Sequence, residues 1–256
     1  MHCVPYAMLP GFSVYYLRGG QGRPVLFVHG MGTNSWVWKH VFLDTPPGAV
    51  YYALDLPGHG GSYPAGDGSI RGHAAVLLAF MEHLSAQGAV AVGHDMGGLV
   101  ALEAALRAPS LFSELILINA PLCFSLPEEI VGGIERAPLR AAEAFLSRAG
   151  EGLSGQLRGD LWRLLAQGEG QLFARDVRAC LGYGVERLKE WRGRLLHLLS
   201  GPSAAAQVSL PTGRVQRLEA LGHFPMLEAP TALSSLLKDL LSPLLKPERK
   251  RAKKAH

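Results

Sequence analysis

Asp95 is the residue of this chain whose setting most strongly indicates chemistry. It stands at the centre of Gly93-His94-Asp95-Met96-Gly97, between an apolar run and an Ala/Leu-rich helical pattern. Glycines two residues before and two residues after it permit a sharp strand-to-helix turn that pushes the central side chain into a cleft. The N-terminus of the following helix would stabilise negative charge there. The pattern favours a nucleophile over the common alternative, an Asp that caps the helix.

Two further glycine-containing segments offer backbone donors and a base. His29-Gly30-Met31-Gly32 follows the first long apolar run, where a flexible turn can aim N–H groups at a developing oxyanion. The backbone N–H groups of Met31 and Met96 are the natural pair of donors. His223 lies on a turn after the last apolar run, from which its ring can reach a cleft. A plain glycine turn and a packed histidine are the alternatives, and the positions of both segments after strands favour function.

These segments need a rigid scaffold, and the rest of the sequence indicates a parallel sheet. Continuous apolar runs are typical of strands that are buried on both faces. Their alternation with helical patterns predicts an α/β fold, with an open, mostly parallel sheet and helices on both sides. The predicted strands are 24–28, 50–54, 89–92, 115–118, 195–199 and 214–218, the last near a sheet edge, with 13–17 in an N-terminal antiparallel hairpin. The predicted helices are 70–84, 99–106 and 231–241.

One region interrupts this alternation. Residues 122–193 show helical patterns and no convincing strand, so we expect a helical cap inserted between two strands. Ligands of such sheets bind outside the carboxyl ends of the strands, where this cap would act as a lid. The predicted organisation is a core domain of residues 1–121 and 194–245, the cap, and a basic, disordered tail of residues 246–256.

The charge distribution argues against a nucleic-acid-binding protein. The net charge is +4, but the tail holds six basic residues and one acidic residue, so residues 1–245 are nearly neutral. No basic face interleaved with aromatic side chains precedes the tail. The three cysteines are widely spaced, and the histidines lack the spacing of metal ligands. We therefore expect a small-molecule substrate, no cofactor, no metal and no nucleic-acid partner.

The sequence also lacks the usual features of a membrane or secreted protein. No apolar stretch reaches the roughly 18 residues of a transmembrane helix, and the first twenty residues do not resemble a signal peptide. The expectation is a cytoplasmic monomer or homodimer without stable membrane association.

Together with Asp55-Leu56-Pro57-Gly58-His59-Gly60, these segments resemble the α/β-hydrolase family, from about residue 13 to residue 242. The resemblance implies the α/β-hydrolase fold, with an eight-stranded mostly parallel sheet, a helical cap and a nucleophile–acid–histidine triad. It assigns Asp95 as nucleophile, His223 as base, Met31 and Met96 as oxyanion donors, and Asp55 to a structural loop.

An Asp nucleophile narrows the expected chemistry. A carboxylate that is ionised at neutral pH needs no base to activate it and can displace a leaving group at an sp³ carbon. His223 would then activate the water that hydrolyses the resulting alkyl ester. Within the family, this arrangement is similar to haloalkane dehalogenases and epoxide hydrolases.

The resemblance to those two groups has gaps. Gly32 stands where epoxide hydrolases have proline, and the cap has one tyrosine, Tyr183, instead of two. Met96 stands where haloalkane dehalogenases have the tryptophan that holds the halide. An indole N–H from Trp162 or Trp191 could substitute, although cap tryptophans are more often core. The expected substrate-pocket residues are His29, Gly30, His94, Trp162 and Tyr183.

The acid of the triad is not evident. The usual loop, residues 200–206, contains no carboxylate, and Asn119 occupies the other usual position. Glu128 and Glu129 are the nearest candidates. Loss of the acid costs on the order of 10⁴ in rate in serine proteases.

Three interpretations of the site follow from this sequence. In the first, Asp95 is a nucleophile that opens an epoxide or displaces a halide. In the second, Asp95 and His223 are acid–base groups of a lyase or cyclase in biosynthesis, or the scaffold is esterase-like with an altered nucleophile. In the third, the protein binds a small molecule without catalysis.

Overall fold

The computed structural model describes residues 5–122, 124–181, 183, 185–201, 213–219 and 221–245, without the side chains of 185–187. It confirms the predicted α/β-hydrolase fold class, with an eight-stranded and mostly parallel sheet. The basic tail and most of the acid-free loop after residue 201 lie outside the described residues.

The sheet has the strand order β1-β2-β4-β3-β5-β6-β7-β8. β1 pairs with β2, and β2 with β4, in antiparallel fashion, and all other pairs are parallel. Every predicted strand is present, most of them extended by a few residues, and β8 lies at the edge as expected. The strands are β1 (Tyr6–Leu9), β2 (Phe12–Gly20), β3 (Gly22–Val28), β4 (Gly48–Leu54), β5 (Ala89–His94), β6 (Phe112–Ile118), β7 (Arg194–Ser200) and β8 (Arg214–Leu218).

The register aligns the carboxyl ends of the central strands. Val28 of β3 is opposite Gly93 of β5, and His94 is opposite Ile118 of β6. Leu198 of β7 is opposite Ile118 in turn. The loops that follow these strands therefore meet at one edge of the sheet, where parallel sheets bind their ligands.

The helices of the core flank this sheet. The Ser69 hydroxyl accepts a hydrogen bond from the Gly72 N–H and so starts α1, and the sharp turn at Asp95 starts α2. These two helices pack against each other and place apolar faces on the sheet. The core helices are α1 (Ile70–His83), α2 (Met96–Arg107), α7 (Pro225–Glu228) and α8 (Pro230–Leu245).

The described residues between β6 and β7 form four α-helices, in the part of the chain called the cap segment here (residues 122–193). They are α3 (Glu128–Arg136), α4 (Pro138–Ala149), α5 (Gly155–Leu165) and α6 (Gln171–Leu181). The described residues of this segment form no strand, as the sequence indicates. α4 contacts the other three helices, and α6 reaches down to α2 of the core. Across the described helices of the whole chain, none is both long and apolar enough to cross a bilayer.

Candidate active site

Asp95 lies on a strained turn between β5 and α2. Its φ of 51° and ψ of −124° are unusual for a residue with a side chain. The flanking glycines permit the close approach of backbones that this turn requires. A Cβ atom on Gly93 would lie 2.5 Å from the Gly97 carbonyl oxygen, and one on Gly97 would lie 2.3 Å from the Val28 carbonyl oxygen. The turn thus has the sharp form that the glycine spacing predicts.

The Asp95 carboxyl occupies the space between the two predicted oxyanion donors. The Met31 N–H donates to Asp95 Oδ2 at 3.0 Å, and the Met96 N–H is close enough to the same carboxyl to lower its pKa. Gly30 leaves room for the contact, because a Cβ there would lie 2.8 Å from both Cβ and Oδ2 of Asp95. The group that accepts the Met31 donor is therefore the protein's own side chain.

The ionisation of Asp95 differs from the expectation. Burial raises the pKa of Asp95 to about 7, with a further increase from the charge of Asp176, and the Met31 and Met96 N–H groups oppose the shift. The sequence suggests a carboxylate that is fully ionised at neutral pH, and this is wrong for a side chain only 3% exposed. Near pH 7 the protonated and ionised forms of Asp95 are therefore both present.

His223 is buried beside the same cavity as Asp95. Its ring lies 4.9 Å from the ring of His94 and 5.5 Å from that of Phe145, centroid to centroid. Nε2 is buried and has no hydrogen-bond partner among the described residues. Burial lowers the pKa of His223 to about 4, so the imidazole is neutral at pH 7 and can accept a proton.

Asn119 fixes the backbone of His223. Asn119 follows β6 with a φ of 51°, and its Nδ2 donates to the His223 carbonyl oxygen at 3.0 Å and to Ser200 Oγ at 2.9 Å. Its Oδ1 accepts from the Ser200 N–H at 2.8 Å. His94 Nε2 lies 2.9 Å from the same His223 carbonyl oxygen. The sequence places Asn119 at an acid position, whereas the structure shows it supporting the main chain rather than the ring of His223.

Glu228 holds the same loop from the other side. Its carboxylate accepts hydrogen bonds from the Gly222 N–H and, at 3.1 Å, from the Phe224 N–H. Ser200 Oγ donates to the Gly222 carbonyl oxygen at 2.6 Å. The residues on both sides of His223 are therefore restrained. Sequence reasoning missed this role, although a Glu five residues after the histidine was a signal available to it, and the structure places that Glu at the end of the short helix α7.

The two acid candidates do not reach His223. Glu128 is exposed on α3, where it pairs with Arg178 at 3.4 Å, and Glu129 is exposed on the same helix. Neither forms a described hydrogen bond to the His223 ring. Both carboxylates are solvated at the surface. The triad acid that the resemblance predicts is therefore not found among the described residues.

A cavity of about 680 Å³ joins Asp95, Asn119 and His223 to the cap segment. Most of the remaining wall is apolar and includes Phe145 of α4 and Phe173 of α6. Arg148 of α4 also lines the cavity and is exposed. The site thus combines a carboxyl and an imidazole with an apolar chamber.

None of the five predicted substrate-pocket residues lines this cavity. Gly30 packs closely against Asp95, and His94 is fully buried. His29 Nε2 accepts a hydrogen bond from the Leu56 N–H at 2.9 Å, so His29 supports a loop. The Tyr183 hydroxyl donates a hydrogen bond to Glu103 Oε2 at 3.2 Å, and Trp162 packs against the apolar core. The Trp191 indole N–H is likewise directed to the Arg194 carbonyl oxygen. Their polar atoms serve the scaffold, which a sequence pattern does not reveal.

Asp55 has the structural place that the resemblance implies. Its Oδ1 accepts from the Ser35 N–H at 2.7 Å, and its Oδ2 accepts from the Gly61 N–H at 2.8 Å. These bonds join two loops at the carboxyl edge of the sheet.

Comparison with known proteins identifies the family of this chain. A sequence model of the alpha/beta hydrolase fold matches residues 23–230. The chain is 30% identical to the dihydrolipoyllysine-residue acetyltransferase component of the acetoin cleaving system of Cupriavidus necator, over 91% of this chain and 67% of that protein. It is 28% identical to the pimeloyl-acyl-carrier protein methyl ester esterase of Aromatoleum aromaticum, over 86% of this chain and 98% of that protein.

A solved structure shares the whole fold. The esterase EaEST from Exiguobacterium antarcticum superposes with a TM-score of 0.81, covering 93% of this chain and 98% of the other. The two sequences are 18% identical, so this similarity concerns the fold alone.

The raised pKa of the buried Asp95 carboxyl predicts how the free energy of unfolding depends on pH. Its pKa in the folded protein is raised, so the stability it contributes is present below pH 4 and is lost as the pH rises towards 7. Asp95→Asn should therefore gain roughly 2–3 kcal/mol in unfolding free energy, relative to the unchanged protein, between pH 5 and pH 8. Urea denaturation at several pH values measures this difference.

Asp160→Asn on α5 is the matched control, because Asp160 pairs with Arg163 at the surface. It should show no such gain. A constant difference between Asp95→Asn and the unchanged protein across this pH range would contradict the raised pKa.

Proposed function

Because the chain belongs to the α/β-hydrolase family, we propose that it is a hydrolase whose Asp95 attacks an sp³ carbon of a small, mainly apolar substrate. An oxygen of Asp95 forms a bond to that carbon as the leaving group departs with the electron pair, which gives an alkyl ester. His223 then takes a proton from water as the water oxygen adds to the ester carbonyl carbon. The bond from that carbon to the alkoxy oxygen breaks, and the alkoxide takes the proton back.

The position of the Asp95 carboxyl carries this proposal. An ester substrate attacked by serine needs the oxyanion donors for its own carbonyl oxygen. Here Asp95 Oδ2 already accepts the Met31 N–H, so that donor is occupied. In an alkyl ester of Asp95, the carbonyl oxygen belongs to the protein and is already in place. The donors then stabilise the oxyanion that forms when water attacks, which supports attack on sp³ carbon.

The state of His223 supports a slow second step. Its imidazole is neutral, and its Nε2 has no partner among the described residues, so it is available to water. Without a carboxylate on the ring, the imidazolium that forms during water activation lacks stabilisation. We infer that hydrolysis of the ester, not its formation, limits turnover.

The hydrogen-bond donors around the cavity determine which leaving groups the site favours. The Tyr183 hydroxyl and the Trp191 indole N–H are hydrogen-bonded within the scaffold, away from the cavity. A leaving group that needs little assistance is therefore favoured, and alkyl bromides should react faster than epoxides or alkyl chlorides.

Acid–base catalysis without hydrolysis is the second candidate. One observation favours it: a carboxyl with a pKa of about 7 can both give and take a proton near neutral pH. Asp95 would then move a proton of the substrate while His223 holds or exchanges a second one. This reaction leaves no ester on Asp95, which separates the two candidates.

The first test is to trap the ester. His223→Gln removes the base that activates water, so incubation with pooled bromoalkanes and epoxides should add the alkyl mass to the protein. Intact-mass measurement and peptide mapping should place the adduct on the peptide that contains Asp95. The double variant Asp95→Asn/His223→Gln should give none.

His83→Gln, at an exposed position of α1, is the matched histidine control and should not accumulate an adduct. Absence of an adduct in folded His223→Gln protein that still binds an apolar probe in the cavity would overturn the nucleophile. Exchange of substrate protons with deuterated solvent would then support the acid–base candidate.

The pH dependence of ester formation gives a second test. Only ionised Asp95 attacks carbon, and burial raises its pKa to about 7. The single-turnover rate of adduct formation in His223→Gln should rise tenfold per pH unit below 7 and level off above pH 8. A rate that is constant from pH 5 to pH 9 would mean that Asp95 is not the attacking group.

Arg148 allows a third test, which concerns the part of the substrate that lies away from Asp95. It adds positive charge to the cavity, and no described acidic side chain pairs with it. Bromoalkanoates should therefore react with a higher kcat/KM than neutral bromoalkanes of equal length. Arg148→Met should lower kcat/KM about tenfold for the anionic substrates alone, whereas Arg140→Met, which changes an arginine of the same helix outside the cavity lining, should not. Equal loss for both substrate types would contradict this role.

A further inference from the structure

Asp176 connects the cap segment to the loop that carries one oxyanion donor. It lies on α6, is fully buried, and stands between Phe173 and Val177, which line the cavity. Its Oδ2 accepts the Gly32 N–H at 2.8 Å and lies 2.8 Å from His59 Nε2. One carboxylate oxygen from the cap segment therefore holds two loops of the core.

Two consecutive amides are bound by two different carboxyl groups. The Met31 N–H donates to Asp95, and the next N–H along the chain, that of Gly32, donates to Asp176. Gly32 adopts a φ of 61°, and a Cβ there would lie 2.8 Å from Leu165 Cδ2. The Met31 N–H belongs to the peptide group between residues 30 and 31, and the Gly32 N–H to the next one, so the two planes meet at the Met31 Cα. Asp176 fixes the second plane and thereby restrains the Met31 backbone torsions that set the direction of the Met31 N–H.

The charge of Asp176 is retained although the side chain is buried. Burial acts to raise the pKa of Asp176, but His59, the Gly32 N–H and His73 outweigh it, so the pKa is lowered. Oδ1 has no hydrogen-bond partner among the described residues, and Arg175 Nη2 lies 3.8 Å from it. Burying an ion costs several kcal/mol, so an apolar residue would attach α6 to the core at lower cost. The location of the ion at the oxyanion loop indicates a use beyond attachment.

We propose that Asp176 is a positioning residue, which directs the Met31 N–H towards the Asp95 carboxyl and makes the oxyanion site depend on the seating of α6. The inference rests on the proposed function in that the ester of Asp95 uses the Met31 N–H during hydrolysis. The link itself, from Asp95 through the two successive peptide groups on either side of the Met31 Cα to Asp176, does not depend on the reaction.

Selective labelling of methionine with ¹⁵N tests the orientation without substrate. The chain has six methionines, and Met31→Leu and Met96→Leu assign the two donor amides. In Asp176→Ala, the Met31 amide proton should shift upfield because its hydrogen bond to Asp95 is weakened, whereas the Met96 amide should stay. Asp176→Leu removes the same acceptor and fills the volume, so it serves if the alanine variant does not fold. Asp176→Asn keeps an oxygen for the Gly32 N–H and should restore the resonance.

Kinetics then test the consequence. Loss of an oxyanion donor costs about 10²–10³ in rate, so partial misdirection should slow hydrolysis of the Asp95 ester about tenfold or more. KM should change less than about twofold, because the cavity walls remain, and Asp176→Asn should recover most of the rate. Asp160→Leu on α5 controls for a changed cap surface and should match the unchanged protein.

The outcomes separate the two proposals. An unmoved Met31 resonance in folded Asp176→Ala and Asp176→Leu would overturn the positioning role, as would a moved resonance with an unchanged rate of ester hydrolysis. If no ester forms on Asp95 in any variant, the proposed function fails, and the Met31 resonance alone decides whether Asp176 directs that amide.

Discussion

The hydrogen bond from the Met31 N–H to the Asp95 carboxyl is the interaction on which the rest of the site depends. It joins the loop after β3 to the turn after β5, and these strands are neighbours in the sheet. The parallel register brings the two loops to one level, and small residues let the backbones come close enough for the bond to form. A longer side chain than serine at this turn necessarily reaches the donor pair. In the proposed function, the same geometry suits an ester of Asp95 and obstructs an ester substrate.

Burial sets the proton distribution between Asp95 and His223. It raises the pKa of the carboxyl to about 7 and lowers that of the imidazole to about 4, so a proton resides on Asp95 and not on His223. Moving it to the histidine costs about 4 kcal/mol. Between about pH 4 and about pH 7 the site is thus mainly a neutral pair, and Asp95 releases its proton to solvent as the pH rises through about 7. In the proposed reaction, esterification would remove that charge, and His223 would then act on water with its backbone held by Asn119 and Glu228.

The fold was predictable because its signals are local. Apolar runs and glycine turns predicted the strands, the turn at Asp95 and the two backbone donors, since each depends on a few neighbouring residues. The supporting groups were not predictable in this way. Asn119 and Ser200 are 81 residues apart, and Asp176 and Gly32 are 144 apart, so their hydrogen bonds exist only once the chain is folded. The protonation of Asp95 likewise follows from burial under the cap segment, which no motif encodes.

The buried ions of this site differ in what compensates their charge. Asp176 has a histidine, an amide and a nearby guanidinium, and the pKa of its carboxyl is lowered. Asp95 accepts the Met31 amide and has no described cation beside it, and the pKa of its carboxyl is raised. A carboxylate that is fully compensated is a poor nucleophile, because its charge is already stabilised by fixed partners, whereas a poorly compensated one gains by forming a neutral ester. The arrangement therefore places the stable charge on the residue that holds the loop and the unstable charge on the residue that faces the cavity. Alkylation of Asp95 would relieve the desolvation penalty that folding imposes, so the buried position that destabilises the carboxylate also favours the first chemical step.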